Sequence, residues 1–559
     1  MDAQEIVRRF AKAEADRQVV QSTWDIIEQF VVPFRGRFFK DMETENSVEW
    51  RTREVFDSTA IMAAQTLASS LHGSLTSPSY RWFDIRFRAD ELNEDTEAKA
   101  WLEECTKRVY WAIQESNFNL EAPEMYTDIV SFGTSVVVEE FDEDEGFEVV
   151  FTAVPVKECF FDEDHRGRVH CFYRKMEWTP TQIVTKFGLD TVPEHVKMCY
   201  ENNSQEKLEV IYCVYKNEAR SEQENVSGPL ADDVRPYQYR YVLRKSAEPL
   251  GKGGGFYEMP AFVIRWRKTS GSRWGNSPAM IALADVLTLN QLVELILNQA
   301  EKVVDPATLV TERGLLSDLD LSPGGMTVVR SLEEIQSYES KARFDVSELQ
   351  RDKLRSAIRQ AFYVDQLELK ESPAMTATEV QVRYELMQRL LGPSLGRMET
   401  DFHAPMIERT FNGMMRAGRL PLMPESLANS PNVDLDIGFT GPLSRSQKMD
   451  AVSATERWLS QVKAVAEFTG PGVLDYIDEE AIIKDQADAL NVPAKYIKSN
   501  SKVLAVRQQR QQQQAQQQQL MQAQAAGEAM QAVGKGMKEV GAENMNPQAV
   551  QAVMGGQNA

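Results

Sequence analysis

Residues 271–311, GSRWGNSPAMIALADVLTLNQLVELILNQAEKVVDPATLVT, restrict the fold more than any other stretch. A turn leads into a long unbroken helix, then Asp305-Pro306 and a β-branched strand. Ala279 to Val304 is nearly continuous in apolar residues, but Asp285, Thr288, Gln291, Glu294, Asn298 and Lys302 interrupt it at helical spacing. A bilayer span asks for about 20 consecutive apolar residues, and no such run is present. Apolar character on most faces with a thin polar stripe suits a helix packed between others with one edge in water. At 1.5 Å per residue the helix is a rod of roughly 39 Å. A second rod, Ser347 to Leu367, follows a short β excursion, an uncommon order.

The chain has 559 residues and is 42% hydrophobic, enough for several domains and a sizeable core. Its net charge of −22 argues against a surface that grips nucleic acid everywhere, though not against one past which nucleic acid slides. Five widely spaced cysteines (Cys105, Cys159, Cys171, Cys199, Cys213) suggest a reduced compartment without a disulfide framework. The N-terminus is charged and amphipathic and lacks the apolar core of a secretory signal, so the expectation is a protein soluble in the cytosol at synthesis.

Helical periodicity covers 2–31 and 58–75, a strand 81–87, and further helices 95–130. From Thr134 to Arg267 the pattern is mainly β, broken by a short helix at 179–187, giving an α+β domain. Thr308 to Thr311 reads as a strand, Pro323-Gly324-Gly325 as its turn and 326–330 as its partner. Ser347 with Gln350 reads as a capping box opening the second rod, and Thr376 with Glu379 as another. A helix from about 394 to 417 carries a kink at Pro405 and a stop at Gly418. Residues 433–439 read as an isolated strand, and 444–500 as helices. Ten of the twelve residues from 508 to 519 are Gln; this segment is either a weak helix or disordered.

No catalytic constellation emerges. Gly251 to Gly255 (GKGGG) resembles a phosphate cradle only by composition and reads as a hairpin turn. Cys159, His165, His170 and Cys171 match no zinc spacing, and the acidic run Glu139 to Glu145 lacks calcium-loop spacing and reads as a solvated tip. His72 and His403 have no evident Ser or Cys partner. No metal or cofactor is therefore expected. On the second rod Arg351, Arg355 and Arg359 recur every four residues and share a face. That row is either a solvated or ion-paired basic face, or a ladder beside a polyanion within reach of Lys370 at the following break.

Four motifs in order resemble the head-to-tail connector, or portal, family of short-tailed phages, over about residues 5–450. They are Asp57-Ser58-Thr59-Ala60 with Leu67 to Pro78 and Trp82-Phe83; Trp274-Gly275-Asn276-Ser277-Pro278 with Leu289-Asn290; Thr376-Ala377-Thr378-Glu379-Val380 with Arg383; and Phe439 to Leu443 with Gln447. Trp274 and Asn276 depart from the more usual Tyr-Gly-Arg-Ser-Pro, and the Gln-rich tail is no shared motif.

The resemblance implies a predominantly helical α+β portal fold, assembled as a homo-dodecameric ring around a channel at one capsid vertex. By analogy the wing is 1–278, the stem helices 279–304 and 347–368, and the clip 305–346. The channel loop, kinked helix and return strand span 369–441, the crown 442–506 and the tail 507–559. The implied channel loop includes Glu371, Ser372 and Pro373, and the motif residues are Gly275, Pro278, Asn290, Thr376, Thr378 and Glu379. Duplex DNA would pass through during packaging and ejection. The terminase large subunit, major capsid protein, scaffold protein and tail or adaptor proteins would be partners, in the host cytoplasm during assembly and then in the virion. Duplex DNA carries about one charge per 1.7 Å, so an acidic bore repels it and Arg351, Arg355, Arg359 and Lys370 would offset that locally. Outside this class stand a membrane-associated pore or ejection component and an enzyme with an unfamiliar site.

Overall fold

The computed structural model describes residues 1–35, 54–79, 81–89, 92–93, 95–142, 148–217, 230–304, 308–310, 335–337, 344–367, 391–424, 434–439 and 442–469, with short helical stretches at 506–510 and 512–517 in the Gln-rich segment and isolated positions or pairs at 328, 427, 482–483, 486–487, 490, 503, 521, 524 and 527. It divides into two units. The larger comprises 1–86, 103–422 and 435–476, and the smaller 87–102, 423–434 and 477–559.

In chain order the elements begin with α1 (Ala3–Phe30), α2 (Thr59–Leu75), β1 (Phe83–Phe87), α3 (Thr96–Glu115) and α4 (Phe118–Phe132). Then come β2 (Thr134–Asp142), β3 (Glu148–Val154), β4 (Cys159–Glu163), β5 (Val169–Trp178), α5 (Pro180–Phe187), α6 (Glu194–Glu201), β6 (Leu208–Lys216), β7 (Tyr237–Leu243), β8 (Pro249–Phe256) and β9 (Ala261–Arg265). The long helix α7 (Pro278–Val304) is followed by β10 (Thr308–Val310), β11 (Ile335–Ser337), α8 (Phe344–Ala361) and α9 (Val364–Leu367). A helical rod over 391–416 ends in α10 (Ala404–Arg416), and β12 (Leu435–Phe439) and α11 (Pro442–Thr469) close the series.

In the larger unit β4-β5-β6-β7-β8 form one antiparallel sheet and β3-β2-β9 another. Helix α1 lays Ile6, Phe10 and Ala13 on the first sheet, against Phe160, Cys171, Tyr173, Ile211, Cys213 and Val242. The α1 residues follow the three-to-four spacing of one helix face, and the strand residues come from one side of the pleat. Farther along α1, Trp24 donates its indole N–H to the Phe132 carbonyl at 3.1 Å. In the smaller unit Asn93 bridges both backbone groups of Phe87, and the Arg88 N–H donates to the Asp434 carbonyl.

Several expectations need correction. The GKGGG stretch is not a turn but lies within β8, at the edge of the five-stranded sheet. A Cβ on Gly254 would press on the Tyr239 ring and one on Gly251 on the Phe187 ring, so glycine leaves room for aromatics lying across the strand. β10 pairs with β11, and the expected partner 326–330 lies, apart from Val328, outside the described residues. Ser347 lies inside α8, three residues past its start, and is not its cap. β12 is not isolated; it pairs with β1. Glu139, expected in a solvated tip, is fully buried. By length and composition α7 is long and apolar enough to cross a membrane, and 17% of its most apolar window is buried within its own chain. The clip turn at 323–325 and the helix expected after Thr376 lie outside the described residues.

Candidate functional site: the paired long helices and their anchors

The segment leading into α7 is built by a close approach of two glycines. Gly133 ends α4 with φ of +74° and returns its N–H to Ile129, and a Cβ there or on Gly275 would overlap the other's carbonyl. Only glycine fits such a contact. The Gly275 N–H donates to Thr134 Oγ1 at 2.9 Å, and Asn276 N–H to the Arg267 carbonyl at 2.8 Å. Ser277 Oγ donates to the Ser131 carbonyl at 2.7 Å while accepting from Met280 N–H at 3.0 Å, so it moors and caps the helix at once. Pro278 follows in the first turn, where its missing N–H does no harm. Trp274 meets Trp24 and Phe161 edge-on, at centroid separations of 4.9 and 4.6 Å.

A short strap then crosses both rods. Asn290, on α7, donates to the Glu54 carbonyl at 2.9 Å and accepts from Phe56 N–H at 2.7 Å. One residue on, Asp57 accepts from Thr59 N–H at 2.9 Å, starting α2, and from Arg355 of α8 at 2.7 and 3.0 Å. Burial works against the Asp57 carboxylate, but the Thr59 hydrogen bonds and Arg355 outweigh it and hold its pKa below the ordinary value.

Past α8, Tyr363 takes a left-handed conformation (φ 59°) between the fully buried Phe362 and Val364. This strained residue ends α8 and lets both neighbours point inward before α9. Farther on, the rod over 391–416 contains a π turn at Glu399–His403, with Ala404 N–H bonded five residues back to Glu399. Pro405 lacks an N–H to continue the regular ladder, so the expected kink is absorbed as one extra residue in the turn. His403 is buried, and its Nε2 lies 3.2 Å from Tyr126 Oη, continuing through Thr76 to His72. Burial lowers its pKa to about 3, so it is neutral.

α10 is fixed to both sheets by Arg409. Its guanidinium donates to the Glu258 and Glu139 carbonyls at 2.9 and 3.2 Å and lies over Phe141 and Phe256. The Glu139 carboxylate accepts from Thr410 Oγ1 at 2.8 Å and sits 3.4 Å from Arg409 Nε, near enough for charge attraction but too poorly aligned for a hydrogen bond. Burial raises Glu139 to about 7 despite the pull of Arg409 and Thr410. Arg416 adds a two-pronged pair to Glu258 at 2.7 and 2.8 Å. Among the described residues no three His, Cys, Asp or Glu side chains are placed to hold a metal ion.

Residues 3–497 match the family described as bacteriophage head to tail connecting protein. The chain belongs to this family. It is 29% identical over 528 residues to the "Probable portal protein" of Bordetella phage BPP-1, covering 90% of each chain. It is 26% identical over 573 residues to the "Portal protein" of Salmonella phage epsilon15, covering 99% of this chain and 98% of the other.

Within this connector, Gly275, Pro278 and Asn290 are the mooring and strap residues just described. Arg351, Arg355 and Arg359 all lie half-buried on α8, each beside an acid of its own chain: Asp352 and Glu348, Asp57, and Asp365. The outward face of α8 instead carries Glu348, Leu349, Asp352, Lys353, Ser356 and Gln360. Lys353 is thus an exposed cation that periodicity from the arginines did not single out. Lys370, Glu371, Ser372, Pro373, Thr376, Thr378 and Glu379 lie outside the described residues. Asp57, Glu139 and Arg409 were missed as anchors because each meets partners far away in sequence.

Proposed function

We propose that the protein is a subunit of a portal ring, twelve-fold as in the family resemblance, at one capsid vertex. It conducts double-stranded DNA during packaging and ejection and joins head to tail. The observation that carries this reading is α7. From Gln291 to Val304 it buries no residue in its own chain, yet Leu295 and Leu297 are 58% and 49% exposed. A rod this apolar needs neighbours, and copies of the same chain placed side by side supply them. In this reading 1–278 is the wing, α7 and α8 the stem, 305–346 the clip and 442–506 the crown. The ring hydrolyses nothing itself. A terminase motor docks on the clip and is later replaced by tail or adaptor proteins, while scaffold and major capsid proteins surround the ring.

With 22 net negative charges per copy, the ring repels DNA phosphates and keeps the duplex from sticking. Lys370 and the row Arg351, Arg355 and Arg359, less the charge each arginine shares with an acid of its own chain, are the cations that offset this repulsion near the bore. End-on electron microscopy of the purified protein tests the reading; annular particles are expected, and a monodisperse monomer at every concentration overturns it.

The length and apolar content of α7 favour one second reading, a pore that enters lipid. Against it, exposed Thr288, Gln291, Glu294, Asn298 and Lys302 would face hydrocarbon. Co-flotation of the purified protein with phospholipid vesicles separates the two, since the ring reading expects it to stay unbound.

A further inference from the structure

We propose that Cys171 and Cys213 form an oxidation site, a buried dithiol that a small peroxide converts into a disulfide linking β5 to β6. The inference rests on the geometry of the five-stranded sheet and is independent of the connector's assembly. In the β5–β6 register Cys171 stands opposite Tyr215 and Cys213 opposite Tyr173, so the two cysteines occupy one diagonal of a square whose members share a face. Their sulfurs are 3.8 Å apart. A disulfide needs about 2.0 Å, and diagonal neighbours stand at the long end of the Cα separations it spans, so closure takes χ1 rotation of both side chains together with a small approach of the two strands.

The other cysteines are arranged differently. Cys159 donates to the Val154 and Pro155 carbonyls, Cys105 is buried in α3, and Cys199 is partly exposed on α6. Only small, uncharged oxidants suit the 171–213 pair, because both thiols are fully buried beneath Ile6 and Phe10 of α1. Burial pushes the Cys213 thiol up, opposed by the Met1 ammonium and Arg9. The pair is therefore quiet toward bulky reagents, and a brief loosening of the first turns of α1 exposes it.

The chemistry balances with hydrogen peroxide. One thiol sulfur attacks the O–O bond, giving a sulfenic acid and one water. The neighbouring thiol displaces the sulfenic oxygen as a second water and closes the S–S bond. Two thiols lose two electrons and two protons, and peroxide takes up both. The bond ties positions 42 residues apart in the middle of the sheet.

The full chain is treated with hydrogen peroxide, quenched, unfolded in an alkylating agent, digested without reductant and mapped by mass spectrometry. The expected product is a peptide pair joined through Cys171 and Cys213, two hydrogens lighter than its parts and separated by reductant. The unfolding temperature rises by several degrees before reduction and returns afterwards. In Cys171→Ala the cross-link is absent and the Cys213 sulfenic acid becomes trappable by a 1,3-diketone. Cys199 is the internal control. If Cys199 is oxidised while Cys171 and Cys213 are both recovered alkylated, or if Cys213 proceeds to sulfinic acid without cross-linking, the proposal is overturned.

Discussion

Between Pro278 and Asn290, α7 buries Ala279, Ala282, Val286 and Leu289 against its own chain, whereas from Gln291 to Val304 none of its residues is buried. The two halves have similar side chains. The near half is moored by a glycine–glycine contact, a serine cap and an asparagine strap. Apolar periodicity thus specifies that a face will be covered, not by what. Covering by the same chain comes with buried polar groups that fix position, such as Ser277 and Asn290. Where those polar anchors stop, the burial stops too.

The largest expected effect is at the moored end. Gly275→Ala forces a methyl into the Gly133 carbonyl and is expected to cost about 3 kcal/mol or more. Urea denaturation of the protomer reads this directly, and a loss under about 1 kcal/mol would show that the close approach relaxes easily.

Next comes a pH test of the α10 anchor. Glu139 is raised from 4.5 to about 7, so its contribution to stability is fully present below 4.5 and is lost as pH rises through 7. From this group alone the native protein should lose roughly 3 kcal/mol between pH 4.5 and 8. Glu139→Gln should flatten that slope, and parallel wild-type and variant profiles would rule the assignment out.

Asn290→Ala, which orphans Phe56 N–H and the Glu54 carbonyl, should cost about 1–2 kcal/mol. Hydrogen exchange should then quicken at Phe56; an unchanged rate there would mean the strap is held by Asp57 and Arg355 alone. Tyr363→Gly should gain roughly 0.5–1 kcal/mol by removing left-handed strain. A clear loss in melting temperature would show the Tyr363 side chain to be worth more than its strain.

The smallest effect on the protomer belongs to the bare end. Leu297→Asp should change protomer stability by no more than about 0.5 kcal/mol while abolishing annular particles in the electron microscope. Rings of normal yield would contradict the view that this half is covered by neighbouring copies.

The helices were legible wherever apolar spacing is local. α1, α2 and α7 fall within a residue or so of where periodicity places them. The misreadings share a cause, a partner distant in sequence. Glycine content at 251–255 signals a turn until Tyr239 and Phe187 are seen lying across it. The acid at Glu139 signals solvent until Arg409, 270 positions later, is brought to it. Ser347 with Gln350 satisfies a capping pattern, yet α8 begins earlier, at Phe344. Of the candidate site, Gly275, Pro278 and Asn290 were found by motif, but their tasks depend on Gly133, Ser131 and residues 54–56. The four-residue step of the arginines left open that Arg355 is committed to Asp57.

The π turn at Glu399–His403 gives the rod over 391–416 two independent phases. One surplus residue rotates everything upstream by about 100° relative to α10 without disturbing the downstream half. Leu391, Ser394 and Met398 are buried upstream of it, and Met406, Arg409 and Thr410 downstream. The rod works like a shaft with an indexing collar, each end keyed to its own surroundings and the collar taking up the difference in angle.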